Sequence, residues 1–166
     1  MIQSYSYSSI TKDHHKNIRR RLDGLFKSGD WNKHTPPFQT YGDLYKYPES
    51  KIFVDTFIDA CSLYEGRTLE VNNLVMWCYM DYRSNYNYVK KTVGKGFHKH
   101  RMGEGNQLSG IYYLINPRNE KTIFRDCESP SPKPFTWFIH PSHLEHRPPD
   151  IKSLRRRYIL GADLFY

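Results

Sequence analysis

Residues 108–116 read LSGIYYLIN, and their alternation decides how the chain folds: Ser109, Ile111 and Tyr113 share one face of an extended strand, and Gly110, Tyr112 and Leu114 share the other. Working outward, similar short β-rich runs follow one another from Thr68: LEVNNLVMWCYMDY, YNYVKK, GFHKH, then beyond 108–116 KTIFRD, FTWFIH and RRRYILGADLFY. Glycine, proline and asparagine separate them. This cadence predicts one antiparallel sandwich or barrel, not a βαβ array, because no helical segment lies between successive runs. The SPSPKP stretch at 129–134 reads as a loop inside the β region.

The N-terminal part reads differently. From Lys12 to Lys27, Ile18, Leu22, Leu25 and Phe26 fall on one side of a helix, with Arg19, Arg20 and Arg21 around the remainder. A loop with Gly29, Pro36 and Pro37 follows. A second helix is expected from Pro48 to Gly66, with proline in its first turn, Glu49 complementing the helix dipole, and Phe53, Phe57, Ile58 and Cys61 at helical spacing. The expectation is a single domain over 1–166, with a helical support in 1–67 and a β-rich core in 68–166.

At 166 residues and 38% hydrophobic content, one domain can bury a core without disulfide or metal staples. Cys61, Cys78 and Cys127 form no CxxC pair, which excludes a disulfide framework and predicts reduced, mostly buried thiols. No apolar run approaches a bilayer-spanning length, and MIQSYSYSSI lacks the apolar core of a secretory signal. No membrane partner is expected, and the cytoplasm is the expected location, the host's if the chain is phage-encoded. The net charge of +8 and the 14 tyrosines permit attraction to nucleic acid without specifying it.

Chemistry concentrates in histidines. His98 and His100, in GFHKH, are two residues apart, so on a strand both imidazoles project to one face and can share a metal ion while Lys99 points away. HPSHLEH offers a third ligand in His140, His143 or His146, which would leave coordination positions open for substrate and oxygen. In the last run, Arg157, Ile159, Gly161 and Asp163 share a face, sending a guanidinium toward the same hollow. A guanidinium grips a carboxylate through two parallel hydrogen bonds, so an inward arginine beside a metal suggests a dicarboxylate ligand. Arg155 and Arg156 read as solvated, and the basic cluster alone would also serve to discourage edge-to-edge strand association.

FHKH, LSGIYYLINP, TIFRD, FIHPSHLEH and RRRYILGAD, in this order from Trp77 to Tyr166, resemble the Fe(II)- and 2-oxoglutarate-dependent oxygenases. The likeness is strongest to the prolyl-hydroxylase-like branch and its small bacterial and phage members. The resemblance implies a mainly β, double-stranded β-helix (jelly roll, cupin-like) with supporting N-terminal helices. It implies iron held by His98, His100 and His146, and the far carboxylate of 2-oxoglutarate held by Arg157 and Tyr113. O2 and an unknown prime substrate complete the implied reactants, and hydroxylation is the implied reaction. Position 100 is histidine where the best-studied members carry a carboxylate, a three-histidine set found in other double-stranded β-helix dioxygenases; Asp126 and Glu104 are the alternative carboxylates. A cupin-like metal dioxygenase or metal-binding module not using 2-oxoglutarate, and a noncatalytic nucleic-acid- or protein-binding domain, are the competing readings.

Overall fold

The computed structural model describes residues 1–31, 39–81, 96–100 and 106–166. Helix α1 (Lys12–Ser28) starts where Thr11 accepts the amide of His14 and the His14 ring accepts the amide of Thr11, a reciprocal cap, and it closes at Gly29. Its apolar stripe is Ile18, Leu22 and Leu25, all buried. A 3-10 turn at Pro48–Ser50 leads into helix α2 (Lys51–Glu65), which buries Phe53, Phe57, Ala60 and Cys61 and ends at Gly66. Both helices match the periodicity of the sequence. No helix among the described residues is long and apolar enough to cross a membrane.

Strands β1 (Gln3–Ser6), β2 (Asn73–Asp81), β3 (Gln107–Ile115), β4 (Ile123–Phe124), β5 (Thr136–Pro141), β6 (His146–Arg147) and β7 (Arg157–Phe165) complete the chain. Five form an antiparallel sheet in the order β1-β5-β3-β7-β2, while β4 and β6 pair separately. An isolated bridge joins His98 to His146, extending the smaller layer by one position. This is the double-stranded β-helix expected from the sequence.

One face of the large sheet packs on the helices. Tyr112, Trp137, Ile139, Leu160, Ala162 and Leu164 are buried there with Leu22, Phe53 and Phe57. The approach is tightest at Gly110, where any Cβ would collide with the Phe57 ring and crowd Trp137. The opposite face of the sheet carries a smaller apolar group, Ile111, Tyr113, Phe138 and Ile159, closed by Phe124 of β4 and by Leu144 in the turn before β6.

Several boundaries differ from the sequence reading. Residues 3–6, inside the segment expected to be a helical support, form edge strand β1 against β5, joined also by a Ser6 to Thr136 side-chain hydrogen bond of 2.8 Å. KTIFRD contributes two strand residues, and GFHKH contributes one bridge instead of a full strand. YNYVKK lies outside the described residues. Cys61 and Cys78 are buried, whereas Cys127 is exposed.

Candidate functional site

The inward face of the large sheet is laid out by its register. Directly opposed residues share a face. Along β7, Arg157 sits opposite Asp81; Ile159 opposite Tyr79 and Tyr113; Gly161 opposite Trp77 and Ile111; Asp163 opposite Val75 and Ser109. On the far side of β3, Ser109 faces His140 and Ile111 faces Phe138. Polar groups therefore occupy both ends of this face, with the apolar patch between them.

At one end, His98 and His146 exchange two backbone hydrogen bonds of 2.9 Å, and the amide of His100 donates to Ser142 at 3.0 Å. These bonds tie together two segments that are remote in sequence, 98–100 and 142–146, and bring the rings together. Ring centroids are 4.6 Å apart for His98 and His146, 4.8 Å for His100 and His146, and 5.2 Å for His98 and His100. One nitrogen of each ring lies within 4.8 Å of the other two. Two metal–nitrogen bonds of about 2.1 Å placed end to end span about 4.2 Å, so modest inward rotation lets the three share one ion. His98 stands at the solvent edge, His100 is half-buried and His146 is buried.

The tautomers suit that use. Nδ1 of His146 donates to the Leu144 carbonyl at 3.0 Å, and Nδ1 of His100 faces Asp163 Oδ1 at 3.2 Å. Assigning the protons to these contacts leaves a lone pair on the other nitrogen of His146 and of His100. Burial, reinforced by the neighbouring histidines, pushes the pKa of His146 down to about 2. Desolvation and then His100 lower that of His98. Neutral imidazoles with free lone pairs are the donor set a borderline divalent cation takes.

His140 points at the same region without joining the trio. Its ring lies 5.1 Å from that of His146 and 5.0 Å from Phe124. Nδ1 donates to the Pro141 carbonyl at 3.0 Å, and Nε2 is buried without a partner among the described residues. Burial lowers its pKa to about 4. His143 lies in the turn after β5, Asp126 is exposed, and Glu104 is outside the described residues. The metal-competent group among the described residues thus contains no carboxylate.

At the other end, Arg157 is 1% exposed. Its Nη1 donates to Asp81 Oδ2 at 3.0 Å and its Nη2 to the Glu120 carbonyl at 3.4 Å. Nε of Arg157, Oδ1 of Asp81 and Oε2 of Glu120 are buried without partners among the described residues. Burial raises the pKa of Asp81 to about 6, against the opposing pull of the Arg157 guanidinium. Arg157 also lies 5.9 Å from the Tyr113 ring centroid. The Tyr113 hydroxyl accepts the Thr122 amide at 2.8 Å and donates to Thr122 Oγ1 at 3.2 Å. Arg155 and Arg156 are exposed, and Arg156 pairs with Asp23.

The sequence brought out the trio, His140, Arg157 and Tyr113, and did not bring out Asp81 or the contact of Asp163 with His100. Alternation along β7 had already put Asp163 on the face of Arg157; its contact with His100 depends on a chain crossing that spacing does not encode. A surface depression of about 470 Å³ bordered by His14, Glu49 and Asp55 contains none of these residues.

No family model and no curated protein matches the chain. Solved structures do. A Pseudomonas putida prolyl-4-hydroxylase aligns with a TM-score of 0.66 at 12% identity, covering 99% of this chain and 91% of that one. The non-heme alpha-ketoglutarate-dependent carbocyclase SnoK of nogalamycin biosynthesis aligns with a TM-score of 0.72 at 10% identity, over 99% of this chain and 79% of that one. A viral collagen prolyl hydroxylase from Paramecium bursaria Chlorella virus-1 gives 0.56 at 11% identity, over 99% and 89%. At these identities, what is shared is the fold.

Proposed function

We propose that this protein is an Fe(II)- and 2-oxoglutarate-dependent oxygenase that hydroxylates a prime substrate. The observation that carries the reading is the presence, in one double-stranded β-helix, of three convergent imidazoles and a buried arginine. His98, His100 and His146 would hold the iron. Bound there, iron supplies the redox chemistry that couples oxidative decarboxylation of 2-oxoglutarate, to succinate and carbon dioxide, to substrate hydroxylation. Structural relatives described as prolyl hydroxylases and alpha-ketoglutarate-dependent enzymes support the assignment.

The protein's own part is orientation and exclusion of water. Arg157 keeps one buried donor, Nε, without a partner among the described residues, and that N–H is available to a carboxylate oxygen. Tyr113 flanks the guanidinium, with its ring held edge-on against Phe138 at 5.6 Å. Ile111, Phe138 and Ile159 form an apolar floor between the two ends, which lowers the local dielectric and strengthens both polar anchors.

A second reading, a three-histidine metal dioxygenase or metal-binding module that does not use 2-oxoglutarate, draws on the ion pair of Arg157 with Asp81, which already neutralises the guanidinium. One experiment separates them. Anaerobic addition of Fe(II) and 2-oxoglutarate to the purified protein should produce a visible metal-to-ligand charge-transfer band and, on admitting O2, succinate. Arg157→Met should weaken the 2-oxoglutarate dependence of the band strongly while leaving Fe(II) binding in place. A fully metal-loaded protein with no band and no succinate selects the second reading.

A further inference from the structure

Three neutral imidazoles leave a divalent ion with its full double charge in a partly buried site. Yet a carboxylate lies directly behind one of them. Asp163 is 3% exposed, and its Oδ1 is 3.2 Å from His100 Nδ1 and 2.6 Å from Ser109 Oγ. Ser109 Oγ is also 3.0 Å from Ser142 Oγ. A hydroxyl has one proton, and of the two acceptors in reach of Ser109 the carboxylate is both nearer and charged, so Ser109 donates to Asp163.

This hydrogen bond holds the carboxylate in place from rigid elements, since Asp163 lies in β7 between Val75 of β2 and Ser109 of β3. Buried carboxylates ordinarily have a cation beside them. Asp81 has Arg157; the titratable group in hydrogen-bond contact with Asp163 is the ring of His100, with His140 farther off in the same region.

We propose that Asp163 is the positioning residue of the metal site: through the His100 ring it supplies the negative charge that the three-histidine set lacks, so that Asp163 and His100 act together as one anionic arm. The proposal rests on the metal reading above. A carboxylate accepting Nδ1–H fixes the His100 tautomer, turns the opposite nitrogen to the ion and makes it a stronger donor, and loss of such an outer partner commonly costs about 10–100-fold in metal affinity.

The test is a competition titration of Fe(II) and of Zn(II) against a chromophoric chelator, under anaerobic conditions for iron, with folding checked by near-UV circular dichroism. Asp163→Asn keeps the shape and removes the charge; its affinity should fall about 10–100-fold. His100→Asp combined with Asp163→Asn places a carboxylate directly in the site and should recover most of that loss, whereas a residue with only a packing role gives no such rescue. In Zn(II)-loaded wild-type protein with 15N-labelled histidine, His100 should show a protonated Nδ1 and a metal-bound Nε2, a readout that needs no variant to fold. Wild-type affinity in Asp163→Asn, absence of rescue in the double variant, or coordination of His100 through Nδ1 each overturns the proposal while leaving the metal reading standing. Failure of the wild type to bind either ion overturns both.

Discussion

Gly161→Ala tests how the sheet holds the histidine cluster. A Cβ built on Gly161 would lie 2.5 Å from Trp77 Cε2, 2.6 Å from Cζ2 and 2.7 Å from Nε1, about 0.7–0.9 Å inside the 3.4 Å at which ordinary contact begins. Gly161 cannot retreat, because it is the strand position paired to Trp77 on one side and Ile111 on the other. The indole is half-buried and can swing. Its ring, however, stands edge-on to His100 at 5.3 Å, so the displaced indole moves against or away from a proposed ligand. Overpacking of this kind costs about 1–3 kcal/mol, and the mobile partner puts the expected loss near the lower end. The expected result is a stability loss of about 1 kcal/mol by urea unfolding together with a clear fall in metal affinity by chelator competition. Trp77→Ala in the Gly161→Ala background should restore the stability. Unchanged metal affinity in a folded Gly161→Ala protein would refute the claim that Trp77 packing positions the His100 ring.

The buried pair at the other end has a pH consequence. Asp81 holds its proton up to about pH 6 in the folded protein against an ordinary 3.8, so its contribution to stability is largest below about pH 4, declines as pH rises to 6 and is flat above. The stability of wild type minus that of Asp81→Asn, followed by urea unfolding across pH 4–7, should fall by an amount on the order of 3 kcal/mol; a difference that rises with pH would contradict the burial argument. His140→Phe removes a buried ring nitrogen that has no partner among the described residues and should leave metal stoichiometry unchanged with equal or greater thermal stability; loss of the ion would make His140 a ligand. Thr11→Ala removes the reciprocal cap of α1 and should cost about 1 kcal/mol in chemical unfolding without touching metal affinity.

The long elements were legible in the sequence because each buries a periodic face. Ile18, Leu22 and Leu25 marked α1, and the alternation of 108–116 and 157–163 marked the two central strands. Strand β1 was not legible: its residues are mostly exposed, it sits at an edge, and it owes its conformation to β5 instead of to an apolar pattern of its own. The two-residue strands β4 and β6 are too short to show a period. For the site, HxH spacing brought out His98 and His100, and choosing His146 over His140 and His143 needed the family resemblance. The carboxylates of Asp81 and Asp163 were hidden for a different reason. Each acts through a partner remote in sequence, Arg157 for the first and His100 for the second, and such pairings are set by strand register and chain crossing.

The central claim is that the imidazoles of His98, His100 and His146 hold one divalent ion. Anaerobic Fe(II) titration of the metal-free protein, read by calorimetry and metal analysis, measures it directly. The account predicts one ion per chain in the wild type and loss of that ion in His98→Ala, His100→Ala and His146→Ala, each of which stays folded. Retention of a full equivalent in the His146→Ala protein, or no bound ion in the wild type, would contradict it.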